Sequence, residues 1–194
     1  KFINLSSAAV YGSPVSLPIK ETDLLSPVSP YGFHKKYSEE ILKEYHSLFG
    51  TPCCSLRIFS AYGPGLYKQL LWDLYKKISS GKPIVLFGTG NETRDFIHIE
   101  DILQCMKLII DKSNFKADVY NIANGEQIAI KHLADLVIKE CNFNGSLSFS
   151  GVERLGDPLY WVADIEKIKS LGYSQQISIH QGVANYIRWA KEVV

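Results

Sequence analysis

The amino-acid sequence predicts an α/β protein built on a mostly parallel sheet. Short apolar runs rich in β-forming residues alternate along the 194-residue chain with stretches of helical periodicity. Strands separated by helices in this way form βαβ units. With 46% hydrophobic and 21% charged residues, the chain has the composition of a globular protein that buries a core. Disordered and fibrous proteins are therefore excluded.

The first third of the chain predicts one complete βαβ unit. Residues 1–6 alternate as a strand does, and a loop rich in glycine and proline follows them. Ser29 and Pro30 are typical of a helix N-cap and first turn, and Gly50 is typical of a helix end. The helix, the second strand and the turn after it are predicted at 30–49, 53–59 and 61–65.

The remainder of the chain continues the alternation. Helical periodicity marks the helices, and short runs rich in β-branched residues mark the strands. The later helices are predicted at 67–80, 100–111, 130–141, 164–170 and 179–194. The later strands are predicted at 84–87, 96–99, 119–123 and 147–150.

The charge pattern argues against several kinds of partner. Lys plus Arg number 21 and Asp plus Glu number 20, for a net charge of +1. Because no basic block is present, no nucleic-acid partner is expected. The apolar runs are far shorter than the ~20 residues that span a bilayer, so no membrane association is expected. No targeting segment is found either.

The four cysteines have no CxxC spacing, and no histidines stand at metal-ligand intervals from them. We therefore expect buried, reduced thiols, no metal site and a cytoplasmic location. The four are Cys53, Cys54, Cys105 and Cys141.

Tyr31 and Lys35 stand four residues apart in the first predicted helix and so share one helix face. A nearby ammonium lowers the pKa of a tyrosine, which makes the phenol a candidate general base. Ser7 follows the first predicted strand, at the edge where open α/β sheets hold their ligands. Two plainer interpretations stay open: a solvated helix face for the pair, and a turn serine bonded to its own backbone.

Five segments, in a fixed order, together resemble one known family. The segments are 6–12, 29–35, 57–65, 87–101 and 154–158, followed by Ala163-Asp164. With these segments, the sequence resembles the extended short-chain dehydrogenase/reductases that act on nucleotide sugars.

The resemblance implies an NAD-dependent enzyme with a catalytic serine, tyrosine and lysine, here Ser7, Tyr31 and Lys35. Tyr31 would remove the proton of a sugar hydroxyl, Ser7 would orient that hydroxyl, and Lys35 would hold the nicotinamide ribose. The implied contacts of the NAD cofactor are Ser6, Tyr31, Lys35 and Phe59. The implied contacts of the substrate, a nucleotide-diphosphate sugar, are Ser7, Ser60, Phe87, Arg94, Arg154 and Asp157. The arginine forks suit the oxygens of a diphosphate.

Two features depart from the family pattern. The glycine-rich turn that holds a dinucleotide pyrophosphate is absent from these residues. The chain thus resembles the C-terminal part of a doubly wound, Rossmann-like parallel sheet, joined to a small mixed α/β substrate-binding domain. Residues 1–65 are assigned to the sheet domain and 66–194 mainly to the other, with the chain crossing back near 119–123. Ser60 stands where many relatives carry an asparagine.

The residues after Ser7 bear on the reaction. Relatives that catalyse 4,6-dehydration carry Asp-Glu there, whereas this chain has Ala8 and Ala9, so elimination lacks its proton carriers. The motif best matches a 4-epimerase, which oxidises C4 of the sugar transiently. The alternatives that stay open are a 4,6-dehydratase, a decarboxylase, a reductase, and an inactive truncated sugar-binding remnant.

The first predicted helix carries an apolar stripe at helical spacing. The stripe would serve a homodimer, which the resemblance implies if an N-terminal half is present, or it would pack within the chain. Its residues are Tyr37, Ile41, Tyr45 and Leu48. Among the other side chains, we expect His98 to be structural and Trp72, Trp161 and Trp189 to lie in a core or an interface.

Overall fold

The computed structural model describes residues 1–152 and 159–194, and it confirms the α/β class. The strands are β1 (Phe2–Ser7), β2 (Cys53–Ile58), β3 (Ser60–Tyr62), β4 (Ile84–Leu86), β5 (Thr93–Arg94), β6 (Phe96–His98), β7 (Lys116–Ile122), β8 (Ile128–Ala129) and β9 (Leu147–Phe149). The helices are α1 (Pro30–Phe49), α2 (Gln69–Ser79), α3 (Ile99–Lys112), α4 (Ile130–Cys141), α5 (Glu166–Ser170) and α6 (Ile179–Val193). A short 3₁₀ turn, Ala8–Val10, follows β1.

A parallel sheet in the order β1-β2-β7 forms the base of the molecule. The first two of its strands are joined through α1, so they form the predicted βαβ unit. The register places Ser7 opposite Ile58 and Ile58 opposite Ile122. The three strands therefore end at one carboxyl edge, which is where sheets of this kind bind ligands.

The start of α1 lies against the 3₁₀ turn. Ser29 caps the helix by accepting the N–H of Gly32 at 3.1 Å, and Pro30 occupies the first turn. A Cβ atom on Gly32 would lie 2.6 Å from the carbonyl oxygen of Ala9. Because glycine avoids this clash, α1 approaches closely enough to place Tyr31 at the same sheet edge as Ser7.

The polarity of α1 is inverted. Its sheet-facing side is polar: the Asn4 amide in β1 donates to Ser38 of α1 at 3.1 Å and to Ser55 of β2 at 3.2 Å, and Glu39 is buried. The opposite side carries the predicted apolar stripe, and each of its side chains is more than half exposed. They are Tyr37 (56%), Ile41 (53%), Tyr45 (51%) and Leu48 (65%).

Two hydrophobic cores share one pair of strands. The first core surrounds the three-stranded sheet and takes in α3 and α5, whereas the second lies among α2, α4 and α6. The parallel strands β3 and β6 lie between them. Successive strand residues point to opposite faces, so Ile97 belongs to the first core while Phe96 and Tyr62 belong to the second. The β3–β6 pair is therefore a wall common to both cores.

Several elements differ from the sequence prediction: β5 and β8 are additional strands, β7 begins at Lys116 rather than at 119, and two further differences have a direct structural cause. The strand predicted at 53–59 ends one residue early, and β3 occupies part of the predicted turn, because the N–H of Ser60 donates to the carbonyl oxygen of Asp95 at 2.9 Å. The helix predicted from 67 begins at Gln69, because Lys68 is extended and Gln69 has a φ of 67°. From the later part of the chain, the first core takes in residues of α3, β7 and α5.

A buried carboxylate joins three segments beside this wall. The oxygens of Asp95 accept the backbone N–H groups of Asn124 at 2.9 Å, Gly125 at 3.0 Å and Ala163 at 3.0 Å. Burial raises the pKa of Asp95 to about 6, although the N–H donors oppose the shift. The charged form of Asp95 thus weighs against folding.

Asp95 is expected to make stability fall with rising pH. A carboxyl whose pKa is higher in the folded than in the unfolded state stabilises the fold at low pH and loses that contribution as the pH rises through about 6. Between the pH at which Asp95 is protonated and the pH at which it is charged, its contribution to the free energy of unfolding falls by roughly 3 kcal/mol. Urea unfolding at pH 4 and pH 7 should show this slope in the wild type and not in Asp95→Asn. The exposed Asp111→Asn is the control, and equal slopes in all three proteins would contradict the assignment.

Candidate active site

An open cleft lies beyond the carboxyl edge of the three-stranded sheet. Its volume is about 1310 Å³, and its walls include the start of α1, part of α2 and the turn after β4. Of the ten predicted site residues, eight lie in the described part of the chain, and all eight line this cleft. They are Ser6, Ser7, Tyr31, Lys35, Phe59, Ser60, Phe87 and Arg94. Arg154 and Asp157 lie outside the described residues.

Ser7 ends β1 and caps the 3₁₀ turn that follows. Its Oγ accepts the N–H of Ala9 at 3.2 Å, which is the turn-forming role open to a serine. A hydroxyl also has one proton to donate, and within the described chain no acceptor is found for it. The turn-forming role of Ser7 is therefore compatible with the binding of a ligand oxygen.

Tyr31 and Lys35 face the cleft from the first two turns of α1. Tyr31 is 56% exposed, and Lys35 Nζ lies 5.6 Å from the centroid of its ring. Lys35 Nζ also donates to the carbonyl oxygen of Leu5 at 2.6 Å. Since an ammonium has three donors, this bond ties the lysine to β1 and leaves two N–H groups for a ligand.

A buried ion pair adjoins these residues on the sheet side of α1. Arg57 Nη2 donates to Glu39 Oε2 at 2.7 Å and Arg57 Nε to Glu39 Oε1 at 3.0 Å, and the two side chains are 3% and 0% exposed. Ser6 donates its hydroxyl to Glu39, and Arg57 Nη1 donates to the Tyr11 hydroxyl at 2.9 Å. Burial raises the pKa of Tyr11 to about 12 although Arg57 opposes the shift, so Tyr11 is neutral at ordinary pH. Because the Ser6 hydroxyl donates its one proton to Glu39, its side chain can meet a cofactor only as an acceptor.

The chain leaving β2 forms part of the cleft lining. Phe59 is 5% exposed and packs against the rings of Tyr11 and Trp161, at centroid distances of 6.3 and 5.9 Å. Ser60 is half-buried in β3 and lines the cleft. Phe59 therefore presents little of its ring to a ligand, whereas Ser60 presents a hydroxyl.

Phe87 precedes a turn that a carboxylate holds together. The ring is 67% exposed at the cleft. Glu92 accepts the backbone N–H groups of Thr89 at 2.8 Å and Gly90 at 2.9 Å. Burial raises the pKa of Glu92, but the hydrogen bonds outweigh it and leave the pKa below its ordinary value. An exposed ring on a fixed turn suits stacking against a nucleotide base.

Arg94 and Trp161 lie together in the cleft wall. The Arg94 guanidinium carbon is 5.9 Å from the centroid of the Trp161 ring. Trp161, expected in a core or an interface, does pack on Phe59, but it also lines the cleft, and its Nε1 donates to the carbonyl oxygen of Gly12 at 3.3 Å. Its place just after the segment 154–158 is the sequence signal for that second role.

Three lysines that line the cleft, Lys68, Lys76 and Lys77, are not among the predicted site residues. Lys76 forms an ion pair with Asp73 at 3.6 Å. In the sequence pattern, the three lysines belong to the polar side of an amphipathic segment, and such a side is ordinarily solvated. Together with two predicted residues they give the cleft a positive character that suits an anionic ligand. The five cations are Lys35, Lys68, Lys76, Lys77 and Arg94.

The remaining candidates are structural. His98 caps α3, its Nδ1 accepting the N–H of Glu100 at 3.3 Å, and Trp72 and Trp189 belong to or pack on the second core. All four cysteines are unpaired, three are buried, and burial raises the pKa of each thiol. Across residues 1–152 and 159–194, no group of three His, Cys, Asp or Glu side chains could hold a metal. In the same ranges, no helix has the length and apolar character to cross a membrane.

A parallel sheet that carries Ser7, Tyr31 and Lys35 at its carboxyl edge is the arrangement that the resemblance to the extended short-chain dehydrogenase/reductases implies. Comparison with known families gives a more specific result. Residues 1–123 match the model of the NAD dependent epimerase/dehydratase family. The chain belongs to this family.

Several known proteins are similar over almost the whole chain. YtcB of Bacillus subtilis, described as an uncharacterized UDP-glucose epimerase, is 30% identical over 97% of this chain and 60% of its own length. The crystal structure of UDP-glucuronic acid 4-epimerase from Bacillus cereus, in complex with UDP-glucuronic acid and NAD, is 31% identical, with a TM-score of 0.92 over 100% of this chain and 62% of that one. DesIV, a dTDP-glucose 4,6-dehydratase from Streptomyces venezuelae solved with NAD, is 26% identical, with a TM-score of 0.89 over 98% and 59%. The chain thus spans about three fifths of the length of these relatives.

The residues at the carboxyl edge fit one end of the NAD that the family name implies. Lys35 has N–H groups directed to no other described residue, and the Tyr31 phenol is exposed beside it. These groups suit the hydroxyls of a ribose. The glycine-rich turn that would hold the pyrophosphate is not part of this sequence.

Proposed function

We propose that the protein carrying this chain is a nucleotide-sugar 4-epimerase that uses NAD and oxidises C4 of the sugar transiently. The observation that carries the proposal is the position of Ser7, Tyr31 and Lys35 in the same cleft as Phe87 and Arg94. The first three are groups that bind and deprotonate a hydroxyl, and the last two are groups that bind a base and a diphosphate. The epimerases among the similar proteins support it.

Each catalytic side chain has a separate task in the proposed reaction. Tyr31 accepts the proton of the C4 hydroxyl and later returns it. Ser7 donates a hydrogen bond to the same sugar oxygen and so holds it toward the phenol. Lys35, fixed by the carbonyl oxygen of Leu5, binds the ribose through its remaining N–H groups. NAD, when bound, supplies the acceptor for the hydride that leaves C4.

The acidic residues of the cleft favour epimerisation over dehydration. Among the described residues of its lining, the carboxylates are Asp73 and Glu92. Asp73 pairs with Lys76, and Glu92 holds the turn after β4. Since elimination needs a proton donor and acceptor beside the sugar, and the residue facing the cleft after Ser7 is Ala9, this arrangement supports inversion at C4 without loss of water.

Product analysis distinguishes the reactions. The natural polypeptide carrying this chain should be incubated with NAD and, separately, with UDP-, GDP- and dTDP-hexoses and hexuronates. We expect at least one sugar to give a product of unchanged mass whose NMR spectrum shows the inverted C4. A product that has lost water would instead indicate a 4,6-dehydratase. No conversion of any of the sugars would contradict the proposal.

Arg94 is expected to bind the diphosphate. Arg94→Ala should weaken the binding of UDP, or of whichever nucleoside diphosphate matches the substrate, by about 1.5–3 kcal/mol, or roughly ten- to a hundredfold. Arg94→Lys should recover part of this affinity, because the planar fork is lost. Calorimetric titration measures the affinities, with the exposed Arg188→Ala as the control. Equal affinities for Arg94→Ala and the wild type would remove Arg94 from the site.

The proposal extends to the whole protein. Residues 1–65, with β7 beside them, would belong to the nucleotide-binding part, and the later chain mainly to the substrate-binding part. Two copies would pair through the exposed stripe of α1, because no described part of the chain covers that apolar side of the helix. The four unpaired thiols, three of them buried, agree with a cytoplasmic location.

A further inference from the structure

The ion pair of Glu39 and Arg57 is costly where it lies. Both side chains are almost completely buried, and a buried pair is often no more stabilising than apolar residues of similar size. The pair is also multiply bonded, with Arg57 Nε and Nη2 both donating to the Glu39 carboxylate. A fixed geometry, rather than stability, is therefore what this pair can contribute.

The position of Glu39 on α1 relates it to the catalytic residues. Glu39 lies four residues after Lys35 and eight after Tyr31, so the three share one face of the helix. Lys35 donates to the carbonyl oxygen of Leu5, and Glu39 accepts the hydroxyl of Ser6. Two side chains one turn apart on α1 thus hold two consecutive residues of β1 immediately before Ser7.

Arg57 holds the chain on the other side of Ser7. Its Nη1 donates to the Tyr11 hydroxyl at 2.9 Å, and that hydroxyl donates to Asn121 Oδ1 at 2.7 Å. Tyr11 comes directly after the 3₁₀ turn that Ser7 caps. Ser6, just before Ser7, and Tyr11, just after the 3₁₀ turn, are therefore both hydrogen-bonded to one ion pair, and the Glu39 of that pair belongs to the helix that carries Tyr31.

We propose that Glu39, fixed by Arg57, is a positioning residue that sets the separation between Ser7 and the Tyr31–Lys35 pair. The proposal rests on the function proposed above. A distant mutation that displaces reacting groups by about 1 Å can lower the rate roughly a hundredfold. The ion pair therefore acts on turnover through Ser7 and Tyr31, without touching the substrate.

The test removes both charges together, in the natural polypeptide. Glu39→Met/Arg57→Met leaves no unpaired charge in the interior, so the variant is expected to fold. We expect kcat to fall at least tenfold while KM for the nucleotide sugar changes less than threefold. Hydrogen exchange at the Ala9 and Tyr11 amides should become at least tenfold faster, whereas exchange in α4 stays unchanged. A folded double variant with wild-type kcat, or with unchanged exchange at Ala9 and Tyr11, would overturn the proposal.

A single hydroxyl gives a second, milder test. Ser6→Ala keeps the ion pair and cuts its bond to β1, so kcat should fall about fivefold while KM for the nucleotide sugar changes less than twofold. Ser38→Ala is the matched control, because Ser38 also joins α1 to β1 but bonds Asn4, farther from Ser7. Equal kcat in the two variants would overturn the positioning role even if the double variant did not fold. A wild type that converts no nucleotide sugar would contradict the proposed function alone, since the exchange rates still decide the positioning.

Discussion

Tyr31→Phe is expected to lower turnover by about three orders of magnitude while NAD binding persists. The phenol is proposed as the group that takes the proton from the sugar hydroxyl, and proton transfer by a positioned side chain contributes about 10²–10⁴-fold. The ring itself stays in place, because α1 is fixed by its Ser29 cap and by the close approach at Gly32. Steady-state rates and the NAD dissociation constant of the natural polypeptide are the measurements.

The control for this substitution is another exposed tyrosine. Tyr67 is as exposed as Tyr31, at 56%, but its ring packs on Trp72 and Trp189, and it is not part of the cleft lining. Tyr67→Phe removes the same atom and should leave turnover within twofold of the wild type. If Tyr31→Phe retained near-normal kcat, the phenol would not be the base.

Arg57→Met alone is expected to destabilise the protein by about 3–5 kcal/mol. The substitution leaves the Glu39 carboxylate buried, with the hydroxyl of Ser6 as its remaining partner. It also removes the bonds from Arg57 to the Tyr11 hydroxyl and to the carbonyl oxygen of Glu21. Chemical unfolding at pH 7 measures the loss.

Two further variants distinguish the destabilisation caused by an unpaired buried charge from that caused by the loss of a side chain. Glu39→Met/Arg57→Met should recover most of the stability lost in the single variant, because no buried charge is left alone. Lys43→Met breaks the exposed Lys43–Glu40 pair on the same helix, and pairs of that kind contribute about 0–1 kcal/mol. A single variant as stable as Lys43→Met would mean that the interior at Glu39 is far more polar than its burial indicates.

The first βαβ unit could be predicted from the sequence because its signals are local. Ser29 marks the start of the helix by its side-chain oxygen, Pro30 and Gly50 mark its ends by their backbone conformations, and α1 runs from Pro30 to Phe49 as predicted. The strand β3 could not be predicted in this way. It forms because Ser60 finds the carbonyl oxygen of Asp95, a partner that only the folded chain supplies.

Some residues of the candidate site could likewise be predicted from the sequence, and others depend on contacts that form only in the folded chain. Ser7, Tyr31 and Lys35 lie in short motifs, so a sequence comparison finds them. The ion pair does not follow from any motif spacing, since Glu39 and Arg57 belong to a helix and a strand whose packing brings them together. The cleft role of Trp161 likewise depends on the contacts that place it against Phe59 and Gly12.

The wall formed by β3 and β6 limits how the cleft can open. Alternate side chains of these strands are packed into different cores, with Ile97 in the first and Phe96 in the second. A hinge through the wall would pull one set of side chains out of its core, and Asp95 would lose backbone donors from two other segments. The two halves of the cleft are therefore expected to keep a fixed mutual orientation, so that adjustment to a ligand falls to surface turns such as the one that Glu92 holds after β4.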